Sequence, residues 1–510
     1  MTFSKSPKNQ TNGFLTITLI KKVIYLFGFW RNNADYQRFM VAAVNREFRH
    51  NPKAIDAYET AILKMYYLNP DNIKGDFLPL FSATGRPSNQ QPELFRSLLL
   101  MSHCRFAGID EWVAHAAATP ILCALVGVTP DSFPGASTHR DFLTRLWMTE
   151  KPDKKKDFAT KPKGKHGKNK LPPKHPGIIA YMVEKALSGK VFQAIPERLL
   201  QTIFTKTAVI PSAKADLLGD TNNLAVSGDG TCVESHASHY GRKTCKCSGD
   251  CYCPRSFADP DAKWGWDSYH ERWFYGYSSY LLSTHNKALK LDLPIYIKFT
   301  EASRHDGVSA IATLAHARFL YKDILSFDSF IADAAHDNYP TYNLLKQWQI
   351  KPFIDLSNRH DNNLQVDGLQ LSKNGVPVCP DGHEMLNWGF DRHKYRIKYR
   401  CPMVAGKVKS CPYFWQCNRT SYGKIIYLRL ASELRLLTPI PRGSPEWKET
   451  YKRRTASERV NNRLLTDYEL EHPKRYGKIK LVSFAFLNAI NIHLDAQVKF
   501  GSIAVSTIVS

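Results

Sequence analysis

The sequence predicts an α/β protein in which a mixed sheet with flanking helices follows an N-terminal helical domain and is interrupted by a cysteine-containing insertion. Three observations predict it. Two apolar-rich runs of strand length deliver a carboxylate at or near their exit, Leu224-Ala225-Val226-Ser227-Gly228-Asp229 and Ser329-Phe330-Ile331-Ala332-Asp333. That is how a buried strand brings an acid to the edge of a sheet. Between them lie two β-rich runs and one run of helical spacing, an order that builds a mixed sheet with a parallel crossover. Upstream, from Gln91 to Trp147, apolar residues recur at helical spacing instead, as in Leu94, Leu98, Leu99 and Cys104, with breaks at Gly108, Pro120 and Pro134.

Residues 1–150 are therefore expected to form the helical domain. A stretch at 14–30 has the length of a membrane span, but Lys21 and Lys22 sit at its centre, each costing about 2.5–3.5 kcal/mol on insertion. No small-x-small cleavage site follows it, so neither a span nor a signal sequence is expected. Residues 151–176, rich in Lys, Pro and Gly, read as a flexible basic linker that tracks a nucleic-acid backbone. Residues 177–357 read as the first part of the core. There, Leu187, Val191, Phe192, Leu199, Leu200 and Ile203 mark helices leading into the Asp229 strand. A hairpin through Asn286-Lys287, a helix over Val308–Lys322, the Asp333 strand and a strand at 351–356 follow. The stretch from Asp333 to Glu458 is far longer than one connecting helix needs, which predicts an inserted subdomain over 358–445. Residues 446–510 then complete the core with a polar helix carrying Glu458 and a closing helix from Lys480.

The chain has 510 residues, long enough for two or three domains, and 43% of them are hydrophobic, enough for folded cores. Lys and Arg number 70 against 46 Asp and Glu, a formal net charge of +24. Such an excess, spread over several regions, points to an extended polyanion as partner, because neutralising phosphates releases condensed counterions. The 11 cysteines are odd in number and unevenly spread, which suits a reducing cytosol better than a disulfide framework. Four of them, Cys245, Cys247, Cys251 and Cys253, crowd one loop and read as a zinc site. Cys379, Cys401, Cys411 and Cys417, with His383 nearby, read as a looser zinc ribbon in the insertion.

Two strand-borne aspartates and a helix-borne glutamate suit a pair of hard divalent cations, Mg²⁺ or Mn²⁺, which take oxygen ligands and stabilise both the attacking and the leaving oxygen of a phosphoryl displacement. In Tyr451-x2-Arg454-x3-Glu458, helical geometry sets Arg454 and Glu458 on one face. At these residues, and in Ala332-Asp333-Ala334-Ala335-His336-Asp337, the sequence resembles the DDE transposases of bacterial insertion sequences. Pro92-Glu93-Leu94-Phe95-Arg96 and Pro134 to Arg140 resemble their helical N-terminal region, which is associated with binding the element's ends.

The resemblance implies a ribonuclease-H-like core with Asp229, Asp333 and Glu458 as catalytic metal ligands and Tyr451 and Arg454 at the DNA. Leu465 occupies the place of the family's final lysine, and Lys474, Arg475 and Lys478 are expected to supply its phosphate contact. It also implies double-stranded DNA as partner (terminal inverted repeats and target), strand cleavage followed by strand transfer, a homodimer in the synaptic complex, and a cytoplasmic, nucleoid-associated place in a bacterium without a membrane partner. Two other readings fit the same residues: a non-catalytic DNA-binding protein derived from a transposase, and a metal-dependent nuclease that cuts without joining. Arg454 fits either a phosphate clamp or an intrahelical ion pair with Glu458. Asp337 reads as a helix cap, and His305, Asp306 and His336 read as structural.

Overall fold

The computed structural model describes residues 30–81, 90–147, 153–158, 177–190, 196–357, 364–417 and 420–509. Most of the 14–30 and 151–176 segments, with Val191 and Phe192, lie outside the described residues.

The protein is mixed α/β. Its main sheet has six strands: β1 Leu224–Glu234, β2 Lys263–Asp267, β3 Arg272–Asn286, β4 Leu291–Glu301, β5 Phe327–Ala332 and β6 Lys351–Ile354. Strand β1 lies at the centre. It runs antiparallel to β3, with Asp229 opposite Leu281, and parallel to β5, with Val226 opposite Phe330. Strand β6 extends the parallel side, and β4 and β2 share the far edge of β3. The hairpin read at Asn286-Lys287 is present: the Asn286 side chain accepts from the amides of Ala288 and Leu289, and Leu291 pairs back with Asn286. Both strand prolines sit where a missing donor is tolerated, Pro294 at a register shift on β4 and Pro352 on the edge strand β6.

Helices cover both faces. The crossover helix Asp306–Leu320 joins β4 to β5 and packs on β1, β3 and β4. The helix Thr455–Asn462, which carries Glu458, packs on the same three strands. Alternation along β1 separates the two, because Ser227 and Asp229 point to the Glu458 side and Gly228 and Gly230 to the crossover side.

The closing helix, Lys478–Phe500, is the one described helix with the length and composition of a membrane span, and 89% of its apolar window is buried inside the protein. It packs on β4 and also on the N-terminal helices Glu59–Tyr67 and Gln91–His103. One continuous core therefore runs from Trp30 to Val505. Several polar residues along this helix have partners far away in the chain. Asn491 donates to the Leu99 carbonyl, His493 to that of Pro294, and Asp495 pairs with the buried ammonium of Lys64 at 2.7 Å.

Between β6 and the Glu458 helix, a three-stranded antiparallel sheet (β7 Leu386–Asp391, β8 Arg396–Arg400, β9 Ile425–Arg429) has a core of its own, including Val366, Ile397, Tyr399 and Leu428. Two buried arginines fasten it to the main sheet. Arg442 donates to the Ile354 carbonyl, and Arg435 grips Asp337 with Nε–Oδ contacts of 2.9 Å and an Nη2–Oδ2 contact of 2.7 Å. Asp337 also accepts from the Tyr342 hydroxyl and the Ser357 amide. The helix-cap expectation for Asp337 is thereby corrected: Asn338 caps the next helix, and Asp337 is a buried half of an ion pair.

A second correction concerns the basic stretch. Within 151–176, Lys155–Lys156 form a short strand paired with Arg255–Ser256, so this part is docked on the cysteine loop rather than acting as free linker.

Candidate active site

Asp229 sits mid-strand between two glycines, and the close approaches behind them explain both. A Cβ at Gly228 would lie 2.8 Å from the Phe330 ring and overlap the Tyr280 hydroxyl, while one at Gly230 would overlap the Asp306 carboxylate. Backing β1 so tightly from the crossover side leaves Asp229 to face the other helix. There Asn461 reaches its Oδ2 at 3.4 Å.

Asp333 follows the last residue of β5. Its carboxylate accepts from the Ala335 amide at 3.1 Å and from His336 Nδ1 at 2.7 Å. His336 is 1% exposed, and its Nε2 lies 2.9 Å from the Tyr280 hydroxyl. Burial, reinforced by Asp306, Asp229 and Asp333, raises the Tyr280 pKa and keeps the phenol protonated. Tyr280 and Asp333 thus hold the two nitrogens of one buried imidazole, which fixes the ring and the carboxylate together.

Glu458 is placed by its neighbour. Ser457 is fully buried and joins Ser227 of β1 (2.7 Å) and Ser283 of β3 (3.1 Å) in a three-hydroxyl knot closed by a 3.0 Å Ser227–Ser283 contact. Arg459 ties the same helix to Asp292 of β4. The Glu458 carboxylate is then left half-exposed, paired with Arg454 at 2.6 Å, one turn back. Tyr451 stacks on Trp447 with ring centroids 4.4 Å apart, close to Arg454.

The electrostatics tie these acids into one site. Burial pushes Asp229 up to about 6, and the carboxylates of Asp306, Asp333 and Glu458 push the same way. Burial also raises Asp306, with Asp333 adding to it and His336 and His305 opposing. Asp333 goes the other way: burial raises it, but the His336 hydrogen bond and charge, the Ala335 amide and Arg454 together outweigh that and hold it below the usual carboxylate range.

A pH effect follows. Asp229 binds its proton more tightly folded than unfolded, so ion-free protein loses stability as pH rises from about 4 to about 6, on the order of 2 kcal/mol from this group. Asp333 contributes in the opposite sense, with stability lost as pH falls. Asp229→Asn is expected to unfold at higher urea concentration than the parent at pH 7.5 in chelator, with the gap closing near pH 4. A gap independent of pH would count against Asp229 as the strained member.

Of the residues singled out in the sequence, Asp229, Asp333, Glu458 and Arg454 come together and Tyr451 packs beside them. The basic trio does not. Arg475 is fully buried and donates to the carbonyls of Tyr468, Glu469 and Phe106, so it braces a turn and presents no charge to a phosphate. Lys474 pairs with Glu111 at the surface, Lys478 opens the closing helix, and Leu465 packs against the main core. Sequence reasoning sets Asp306 aside as structural, although the glycines around Asp229 are its signal, and it passes over Ser457 and Asn461, which look like ordinary polar helix residues.

No three of the carboxylates of Asp229, Asp333, Asp306 and Glu458 lie mutually within 4.8 Å, whereas the four sulfurs of Cys245, Cys247, Cys251 and Cys253 do. Among the described residues no other set of three or more such ligands is so closely grouped, and Cys379, Cys401, Cys411 and Cys417 are not. No protein-family model matches the chain, and no curated protein matches it.

Proposed function

We propose that the protein is a DNA transposase of the DDE type, with Asp229, Asp333 and Glu458 as its catalytic acids on a ribonuclease-H-like core. The observation that carries the reading is the convergence of these three residues, from β1, β5 and a helix packed on that sheet, into one patch where each carboxylate disfavours ionisation of Asp229. The strand arrangement supports it: the antiparallel strands β4, β3 and β1, with β2 extending the edge of β3, continue into parallel β5 and β6, with a helix on each face.

An all-oxygen donor set under mutual repulsion fits hard divalent cations, Mg²⁺ or Mn²⁺, which when bound would polarise the scissile phosphate and its attacking oxygen. The chain's own groups do the rest. Tyr280 and His336 hold Asp333 in one orientation, and the serine knot holds Glu458 over β1. Arg454, which pairs with Glu458 and faces the acids, is placed to take a DNA phosphate when Glu458 turns to its ligand role. Water hydrolyses the strand at the element's end, leaving a 3′-hydroxyl and a 5′-phosphate. That hydroxyl attacks a target phosphodiester, forming one bond and releasing a target 3′-hydroxyl, with no covalent protein–DNA intermediate. Pairing two inverted repeats requires a dimer in the complex, in the bacterial cytoplasm where the nucleoid lies.

Labelled DNA flanking the protein's own coding sequence, incubated with protein and Mg²⁺, discriminates the readings. Cutting with joining is expected. Cutting alone identifies a nuclease, and binding alone a non-catalytic relative.

A further inference from the structure

We propose that Cys245, Cys247, Cys251 and Cys253 hold one zinc ion and that this centre fixes a basic three-stranded sheet as a docking surface for the phosphate backbone of duplex DNA. The DNA half rests on the transposase reading, and the metal half stands without it.

The thiol geometry suits the metal. The sulfurs of Cys245 and Cys251 are 3.3 Å apart and those of Cys247 and Cys253 3.8 Å, with all four mutually within 4.8 Å. Tetrahedral coordination with bonds of about 2.3 Å sets sulfurs about 3.8 Å apart. Lys243 closes the loop by donating to the carbonyls of Cys247 (2.6 Å) and Gly249 (2.8 Å), and it places a cation beside what would be a site of net negative charge. Apolar packing does not hold this loop: Tyr252, its one large hydrophobic side chain, is 95% exposed. A polar loop without a core folds when a metal supplies the free energy.

The sheet next to it raises a second physical problem. Lys155–Lys156, Arg255–Ser256 and Arg242–Lys243 pair as three strands of two residues each, with Lys156 and Lys243 both opposite Arg255. Strands this short contribute little, and like charges facing one another across a ladder destabilise it. The sheet is braced locally by Phe158, whose ring meets the Arg255 guanidinium (4.2 Å) and stacks with Tyr240, and by Lys156 donating to the Pro260 carbonyl. Lys154, Lys155, Arg242, Lys243 and Lys246 remain exposed around it, against the acids Asp153, Asp157 and Asp250. A zinc-anchored loop on one side and a polyanion on the other resolve the repulsion. The chain that builds this surface follows β1, the strand that carries Asp229.

Full-length protein purified without chelator is expected to contain one zinc per chain by elemental analysis. Co²⁺ exchanged into it should give the absorption of tetrahedral thiolate coordination, and the Cys245→Ser/Cys251→Ser variant should lose both signals. Absence of zinc together with absence of that Co²⁺ spectrum overturns the metal site. For the surface, Lys155→Gln/Arg242→Gln/Lys246→Gln is compared with the parent on a duplex of arbitrary sequence without divalent cations. The slope of log affinity against log salt is expected to fall by about 2.7, near 0.9 for each phosphate that is no longer neutralised. An unchanged slope in a variant that retains zinc overturns the docking surface. Neither readout involves cleavage, so a protein that never cuts DNA would sink the transposase reading and leave this result intact.

Discussion

Asp333→Asn is expected to lower strand cleavage by about 10³-fold or more, while folding and DNA binding stay near the parental level. The amide keeps the shape of the carboxylate, and its oxygen still accepts from the Ala335 amide and from His336 Nδ1, so the turn after β5 survives. What disappears is the charge. A metal ligand that supports a phosphoryl displacement contributes several kcal/mol to the transition state, and each 1.36 kcal/mol is a factor of ten. Asp229→Asn and Glu458→Gln should fail alike. Mobility shift and cleavage on the same labelled duplex check it: loss of binding along with cutting would mean the variant had misfolded, and retained cutting would remove Asp333 from the chemistry.

The largest expected effect on stability lies away from the acids, at Arg435. Arg435→Leu should cost about 3–5 kcal/mol, because it strands the Asp337 carboxylate, itself completely buried, without its counter-ion. The pair also ties the insertion to the loop after β5, so the insertion's own sheet should loosen first. Replacing both partners, as in Asp337→Leu/Arg435→Met, should recover much of the loss, since a buried ion pair and a packed apolar pair differ far less than a broken pair differs from either. Urea unfolding of the three proteins decides it. Equal midpoints for parent and Arg435→Leu would mean that the pair does not hold the insertion in place.

The strands are legible because a buried strand writes its own signal. Apolar runs that end on Asp229 and Asp333, and an asparagine at the β3–β4 turn, each depend on residues a few positions apart. The harder features depend on residues hundreds of positions apart. Nothing near Lys478–Phe500 announces that Asn491 will meet the Leu99 carbonyl, or that Asp495 will meet Lys64, and so merge the N-terminal helices with the sheet in one core. Arg475 shows the same limit from the other side. Pro473-Lys474-Arg475-Tyr476 reads as an exposed basic cluster, yet three backbone carbonyls draw the guanidinium inward. Asp337 looks like a cap because its partner lies beyond the whole of the insertion's small sheet. The fourth carboxylate, Asp306, carries no weight in the sequence for want of a reason to place it against β1. Gly230 supplies that reason once the sheet pairing is known.

Three acids, on two strands and a helix, are proposed to form one phosphoryl-transfer site, and the rest of the reading depends on them. The most direct test measures strand joining by the parent and by Asp229→Asn, Asp333→Asn and Glu458→Gln, on duplexes carrying the DNA that borders the coding sequence, in Mg²⁺ and in Mn²⁺. The expected result is that the parent cuts at the end and joins the freed 3′-hydroxyl to target DNA, while all three variants bind the duplex and leave it whole. A parent that binds but leaves the duplex whole in both metals, or any of the three variants joining at the parental rate, would contradict it.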